Sequence, residues 1–245
     1  MQTLDPQHKQ YILEHEQLIR KNKWKEFFSN RDCPKGIGFP LYNAGVPFML
    51  EMACVPSHCF RASRIESAII PHNVTDIKEY AFAYCTSLIS ITIPDSVTRI
   101  ASSAFSGCKG IKSITVPDSV TSVARCAFAD CISLESINIP TSVTSIEGST
   151  FSGCSSLENI NIPKNVVSIG DFAFSRCKAL TSIIIPVSVT SIGDYAFSDI
   201  PTALTISYNG TKEQWKKIYN QNSFIRTSHF TVKCTDGKIV KTENK

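Results

Sequence analysis

Long apolar runs are missing from this sequence. No stretch approaches the ~18 consecutive apolar residues that a membrane helix needs, so membrane insertion is not expected. Met1 to Lys9 lacks the basic-then-apolar order of a secretion leader. Lys241 to Lys245 carries no hydrophobic anchor tail or prenylation box. These absences alone predict a soluble chain in the cytoplasm.

Chemistry-bearing motifs are equally scarce. The five histidines, His8, His15, His58, His72 and His229, share no common register, and no H-E-x-x-H occurs. No C-x-x-C pair is present, so neither zinc nor any other metal is expected. Gly36-Ile37-Gly38 is too short for a dinucleotide loop and follows no strand pattern, so no cofactor is expected either. Paired carboxylates recur at no fixed spacing. The sequence therefore predicts a protein that is not an enzyme.

The net charge of +4 is small, and its distribution says more. Residues 1–47 hold seven basic and five acidic side chains, residues 71–200 eight and eleven, and residues 201–245 eight and three. The middle is mildly acidic and the tail basic. Nucleic-acid binding requires a denser basic stripe or a known motif, so no nucleic-acid partner is expected.

Cysteine, by contrast, is abundant, at 10 residues in 245. Such a count suits a disulfide framework in a small secreted domain. A repeat gives it another meaning. Prolines fall at 71, 94, 117, 140, 163 and 186, always 23 residues apart. In the same register run Val74, Val97, Val120, Val143, Val166 and Val189, and Phe82, Phe105, Phe128, Phe151, Phe174 and Phe197. Cysteine recurs at 85, 108, 131, 154 and 177. The unit reads P-x-x-V-T-x-I-x-x-x-A-F-x-x-C-x-x-L-x-x-I-x-I. Half of the cysteines are thus one position of one repeat, which predicts a ladder of small buried thiols rather than a disulfide set.

A 23-residue unit cannot bury enough apolar surface to stand alone; it must stack on its neighbours and share their core and strand hydrogen bonds. Within the unit, L-x-x-I-x-I alternates with period two and predicts a short strand, with Leu134, Ile137 and Ile139 facing inward and Ser136 and Asn138 outward. V-T-x-I predicts a second extended segment. The spacing in A-F-x-x-C predicts a short helical or 3₁₀ turn. Stacking at the strand spacing of ~4.8 Å gives an array about 29 Å long.

Residues 1–54 are expected to form a helical N-terminal cap. Asp5-Pro6 starts a helix, a second follows near Trp24, Phe27 and Phe28, and Gly45 and Pro47 break the remainder. Residues 55–208 carry the repeats, with a degenerate first turn and a last turn in which Ile200-Pro201 replaces the cysteine step. Residues 209–245 are expected to form a C-terminal cap of a helix plus a hairpin. Thr211-Lys212-Glu213-Gln214 is a capping box, Asp236-Gly237 is a turn between two strands, and Trp215 plugs the last coil.

This repeat resembles the BspA-type leucine-rich repeats, and the segment with Tyr208-Asn209-Gly210-Thr211 and Gln214-Trp215 resembles the terminal segment of gut-bacterial members. The resemblance implies a fold of the α/β, strand-rich class: a right-handed leucine-rich-repeat solenoid. It also implies protein binding at a bacterial, protist or phage surface, and so a cell-surface or virion-associated location.

The outward strand columns are the candidate partner-binding residues: Ser90, Ser113, Ser136, Asn159 and Ser182; Thr92, Thr115, Asn138 and Asn161; and, beside them, Lys112 and Glu135. Small donors and acceptors on a rigid lattice suit a protein or glycan ligand. The V-T-x-I columns supply a second polar face with Thr75, Thr98, Thr121, Thr144 and Thr190, a threonine array of the kind that can order water. The leading expectation is a monomeric recognition or adhesion module. The alternative is a structural scaffold or virion part docked through its helical cap.

Overall fold

The protein is described from a computed structural model, covering residues 53–200, 203–219, 223 and 229–242. The expected N-terminal helical cap lies outside the described residues, apart from Ala53 and Cys54.

The repeats wind into a solenoid of about seven coils. Two strand stacks run along it. One is built from the V-T-x-I segments: β1 (Cys54–Val55), β3 (Asp76–Ile77), β5 (Arg99–Ile100), β7 (Ser122–Val123), β9 (Ser145–Ile146), β11 (Ser168–Ile169) and β13 (Ser191–Ile192). The other comes from the L-x-x-I-x-I segments: β2 (Ser67–Ile69), β4 (Ser90–Thr92), β6 (Ser113–Ile114), β8 (Ser136–Ile137), β10 (Asn159–Ile160), β12 (Ser182–Ile185) and β14 (Leu204–Tyr208). Pairing within the coils is parallel and in repeat register: Arg99 faces Ser122, and Ser113 faces Ser136, which faces Asn159.

Inward positions of both stacks form one continuous core. Val97, Ile100, Phe105, Cys108, Leu134, Val166 and Leu180 are fully buried. At its centre the phenylalanines stack face to face from Phe60 to Phe197, with ring centroids 4.9–5.9 Å apart and planes within 12° of parallel. The widest step, between Phe128 and Phe151, falls where Thr150 takes the phase of Ala81, Ala104, Ala127, Ala173 and Ala196; its hydroxyl donates to the Glu147 carbonyl at 2.7 Å.

The A-F-x-x-C segment corrects the expectation of a helical turn. It is a run of reverse turns, as in Ala81 N–H to Lys78 O, Ala83 N–H to Tyr80 O and Cys85 N–H to Phe82 O. Two positions per coil have φ between +55° and +76°: one column runs His58, Tyr80, Ser103, Cys126, Ser149, Phe172 and Tyr195, and the other Ala62, Tyr84, Gly107, Asp130, Gly153, Arg176 and Asp199. The positive φ is the geometry of the third residue of a type II turn. It turns alternate N–H groups along the solenoid axis, so that Tyr80, Phe82 and Tyr84 donate to Ser102, Ala104 and Ser106 of the next coil at 2.6–3.1 Å. A helix would keep these bonds local. The chain instead makes a third intercoil ladder from segments that are not strands.

The cysteine ladder lies inside these turns. Each thiol donates to the phenylalanine carbonyl one coil back: Cys85 to Phe60, Cys108 to Phe82, Cys131 to Phe105, Cys154 to Phe128 and Cys177 to Phe151, at 2.8–3.2 Å. All nine described cysteines are free thiols. Burial pushes Cys85 up to about 11 and Cys131 and Cys177 up to about 12, and lifts Cys59, Cys108 and Cys154 well above the ordinary thiol value.

The C-terminal end is closed by α1 (Lys212–Ile218) and the antiparallel pair β15 (His229–Cys234) and β16 (Gly237–Thr242). The Thr211 hydroxyl accepts from Gln214 N–H at 3.2 Å, and Gln214 Oε1 accepts from Thr211 N–H at 2.8 Å, which is the expected capping box. Trp215 is fully buried, against Tyr208 and Tyr219. Strand β15 pairs in parallel with β14, so the second stack continues into the cap.

Candidate recognition surface

The two polar faces expected from the sequence are not equivalent. On the V-T-x-I face two columns of hydroxyls bond the backbone, whereas Thr144 and the strand serines Ser122, Ser168 and Ser191 make no side-chain bond among the described residues. Thr75, Thr98, Thr121 and Thr190 donate to carbonyls of Ala53, Thr75, Thr98 and Val167 at 3.0–3.3 Å. Ser96, Ser119, Ser142 and Ser188 donate to Val74, Val97, Val120 and Val166 at 2.6–2.8 Å. These columns tie each coil to its predecessor and leave their hydroxyls only as acceptors for a ligand or water.

The L-x-x-I-x-I face differs. Ser90 and Thr92 lie on β4, Ser113 on β6, Ser136 on β8, Asn159 on β10 and Ser182 on β12; Thr115 and Asn161 follow β6 and β10. All eight are exposed, and their side chains make no hydrogen bond among the described residues. Register places them in straight columns, Ser113 beside Ser136 beside Asn159, with Asn161 bridging to Ile184. The result is a flat lattice of free hydroxyls and amides.

Three of the sequence candidates are engaged. Asn138, although exposed, uses its amide as a substitute peptide: Nδ2 donates to Val116 O at 2.7 Å and Oδ1 accepts from Val116 N–H at 3.0 Å. Lys112 and Glu135 pair with each other at 3.7 Å, both largely exposed. Such a pair adds little stability, so it leaves the face electrically quiet at its centre.

The register also carries the columns past Ser182 and Ile184. Ser182 pairs with Thr205 and Ile184 with Ser207 on β14, and these pair with Thr231 and Lys233 on β15. The first step keeps the period. The second is hidden because α1 interrupts the chain between β14 and β15.

The crevice around Val116, Phe128, Ile137, Asn138, Val143 and Phe151 is lined without a charged residue, histidine or cysteine. No group of three His, Cys, Asp or Glu residues is placed to hold a metal ion, and no helix is long and apolar enough to cross a membrane. The ladder thiols are buried and held in their neutral form, the opposite of an activated nucleophile.

Comparison with known proteins agrees with this architecture. The BspA type leucine rich repeat region is matched in 6 copies, over residues 53–155, 79–205 and 121–236. A leucine-rich repeat protein from Bacteroides ovatus is 28% identical, with a TM-score of 0.54, covering 74% of this chain and 58% of that one. The leucine-rich repeat protein of T. pallidum is 30% identical, with a TM-score of 0.54, covering 58% of this chain and 72% of that one. A leucine rich cell surface protein from Faecalibacterium prausnitzii is 26% identical, with a TM-score of 0.42, covering 63% of this chain and 62% of that one. The chain thus spans less than two thirds of the Bacteroides and Faecalibacterium proteins. None of the curated proteins matches it. With the 23-residue period, the coil geometry and the six matched copies in agreement, the chain belongs to the BspA-type leucine-rich repeat family.

Proposed function

We propose that this protein is a non-enzymatic recognition module that binds another protein through the Ser/Thr/Asn face of its second strand stack. The observation that carries the reading is the contrast in hydrogen bonding. On the V-T-x-I face Thr75, Thr98, Thr121, Thr190, Ser96, Ser119, Ser142 and Ser188 are tied to the backbone, whereas the hydroxyls of Ser90, Thr92, Ser113, Thr115, Ser136 and Ser182 are free and exposed. A flat array of exposed small polar groups without partners among the described residues gives a partner many hydrogen bonds at low side-chain entropy cost. Fold alone does not assign a function; here family membership and a specific set of free groups point the same way.

A protein suits the face better than a glycan. Exposed aliphatic side chains flank the lattice, with Ile89 61% and Ile184 51% exposed. Among the described residues no exposed aromatic ring lies in its columns to stack on a sugar. The test replaces Ser113 and Ser136 with tyrosine, which adds bulk without charge and suits a strand. Proteins retained by the wild-type chain should be lost from this variant, with unchanged circular dichroism. Retention of the same proteins by the variant, or selective binding on a glycan array, would overturn the reading.

A further inference from the structure

We propose that the partner presents an acidic polypeptide segment to the C-terminal end of this face, where Lys233 and Lys238 receive it; the inference rests on the strand-face reading above. The two lysines sit directly opposite each other in the antiparallel ladder of β15 and β16, and both are exposed. They continue the outward column that runs Asn161, Ile184 and Ser207. The cap thus extends the same lattice and ends it in two like charges.

That arrangement works against the fold taken by itself, because like charges directly opposed across a ladder repel. Neither lysine has an ion-pair partner among the described residues. The carboxylate of the adjoining turn, Asp236, is instead taken by α1, accepting from Lys212 N–H at 2.8 Å. Along the rest of the face the charges are mixed: Glu66 in the first coil lies beside exposed Arg64, Glu158 directly precedes β10, and Lys112 is paired with Glu135. The face therefore ends over the cap in unpaired positive charge, and charge complementarity favours a partner whose negative segment lies there. Val240, 54% exposed and paired with Thr231 beside the lysines, gives that segment an apolar contact, which suits a polypeptide better than a sulfated or carboxylated sugar.

The probe is a fluorescent oligo-glutamate peptide, titrated against the full chain by polarisation. Wild type should bind it with an affinity that falls as salt rises. K233E/K238E should weaken binding at least tenfold, whereas K216E/K217E on α1, with the same change in net charge, should leave it unaltered. Equal losses from both pairs, no loss from K233E/K238E, or a lysine-dependent preference for heparin over oligo-glutamate would each overturn the proposal. The neutral S113Y/S136Y variant separates the two readings. Oligo-glutamate binding that survives in it while protein partners are lost supports both. Loss of protein partners without any oligo-glutamate binding by wild type refutes only the acidic segment. Protein partners kept by S113Y/S136Y, with oligo-glutamate binding dependent on Lys233 and Lys238, refute only the lattice reading.

Discussion

The thiol of Cys108 donates to the carbonyl oxygen of Phe82, one coil back, at 3.1 Å, and the same contact recurs from Cys85 to Cys177. Each of these carbonyls also accepts a turn N–H, as Phe82 does from Cys85. The cysteine therefore fills a small apolar site and supplies a second donor to a buried acceptor. At the ends of the ladder other side chains take over: Ser63, 3.4 Å from the Cys85 sulfur, occupies the same phase in the first coil, and Ile200 in the last.

If the donor matters, Cys131→Ala should lower stability by ~1–3 kcal/mol through a cavity and a lost hydrogen bond. Cys131→Ser, which can still donate to Phe105, should cost less. Urea unfolding followed by circular dichroism measures both. A serine variant no more stable than the alanine variant would reduce the ladder to packing alone.

The same burial predicts alkaline lability. In the folded state the ladder thiols are raised, to about 11 for Cys85 and about 12 for Cys131 and Cys177. A raised folded value means that the unfolded chain releases its protons first. The contribution is fully present below about pH 9, near the ordinary thiol value, and is lost as pH rises through the folded values. Each thiol costs up to ~1.4 kcal/mol per pH unit in that window. Thiolate absorbance should therefore appear together with loss of secondary structure between about pH 9 and 12, in one cooperative step. Thiolate appearing near pH 9 in a chain that stays folded would contradict the buried ladder.

Asp130 and Arg176 pair at 3.5 Å across two coils, and the coil between them contributes Gly153. A Cβ at Gly153 would stand 2.2 Å from Asp130 Oδ1, and the residue has φ of +76°. Gly153→Ala should cost ~1–2 kcal/mol from the left-handed backbone alone, and more from displacing the carboxylate. Asp130→Ala, which breaks only an exposed pair, should cost ~0–1 kcal/mol. In the double variant the loss should fall below the sum of the two, as thermal melts of all four chains would show. Strict additivity would mean that the carboxylate moves aside freely.

The 23-residue period made the coils, the inward columns and the cysteine ladder legible, because stacking forces each side chain to repeat its neighbour's environment. The turns were not legible. Left-handed positions are ordinarily signalled by glycine or asparagine, yet here they hold Tyr80, Tyr84, Phe172 and Tyr195. The intercoil N–H bonds offset a cost that local propensity opposes, and A-F-x-x-C spacing is compatible with either conformation. The polar columns were legible only by position. Thr98 and Thr115 look alike as letters, but one hydroxyl meets a carbonyl of the previous coil and the other meets none. Asn138 likewise follows the outward pattern while its amide serves Val116.

The intercoil bonds also have a direction. Beside the first stack, N–H groups and side-chain donors reach back to the preceding coil, as Thr98 does to Thr75, while turn N–H groups reach forward, as Phe82 does to Ala104. The two ends of the array therefore present different sets of donors and acceptors. Two bare ends could match only head to tail, the open association that builds filaments and never closes into a two-fold dimer. Ser223 answers both halves of this pattern at the last coil: its carbonyl accepts from Phe197 N–H at 2.8 Å and its hydroxyl donates to Gly193 O at 3.0 Å. Ser223, outside the repeat, thus meets at the last coil one donor and one acceptor that a further coil would otherwise meet, beside the closure made by α1, β15 and β16.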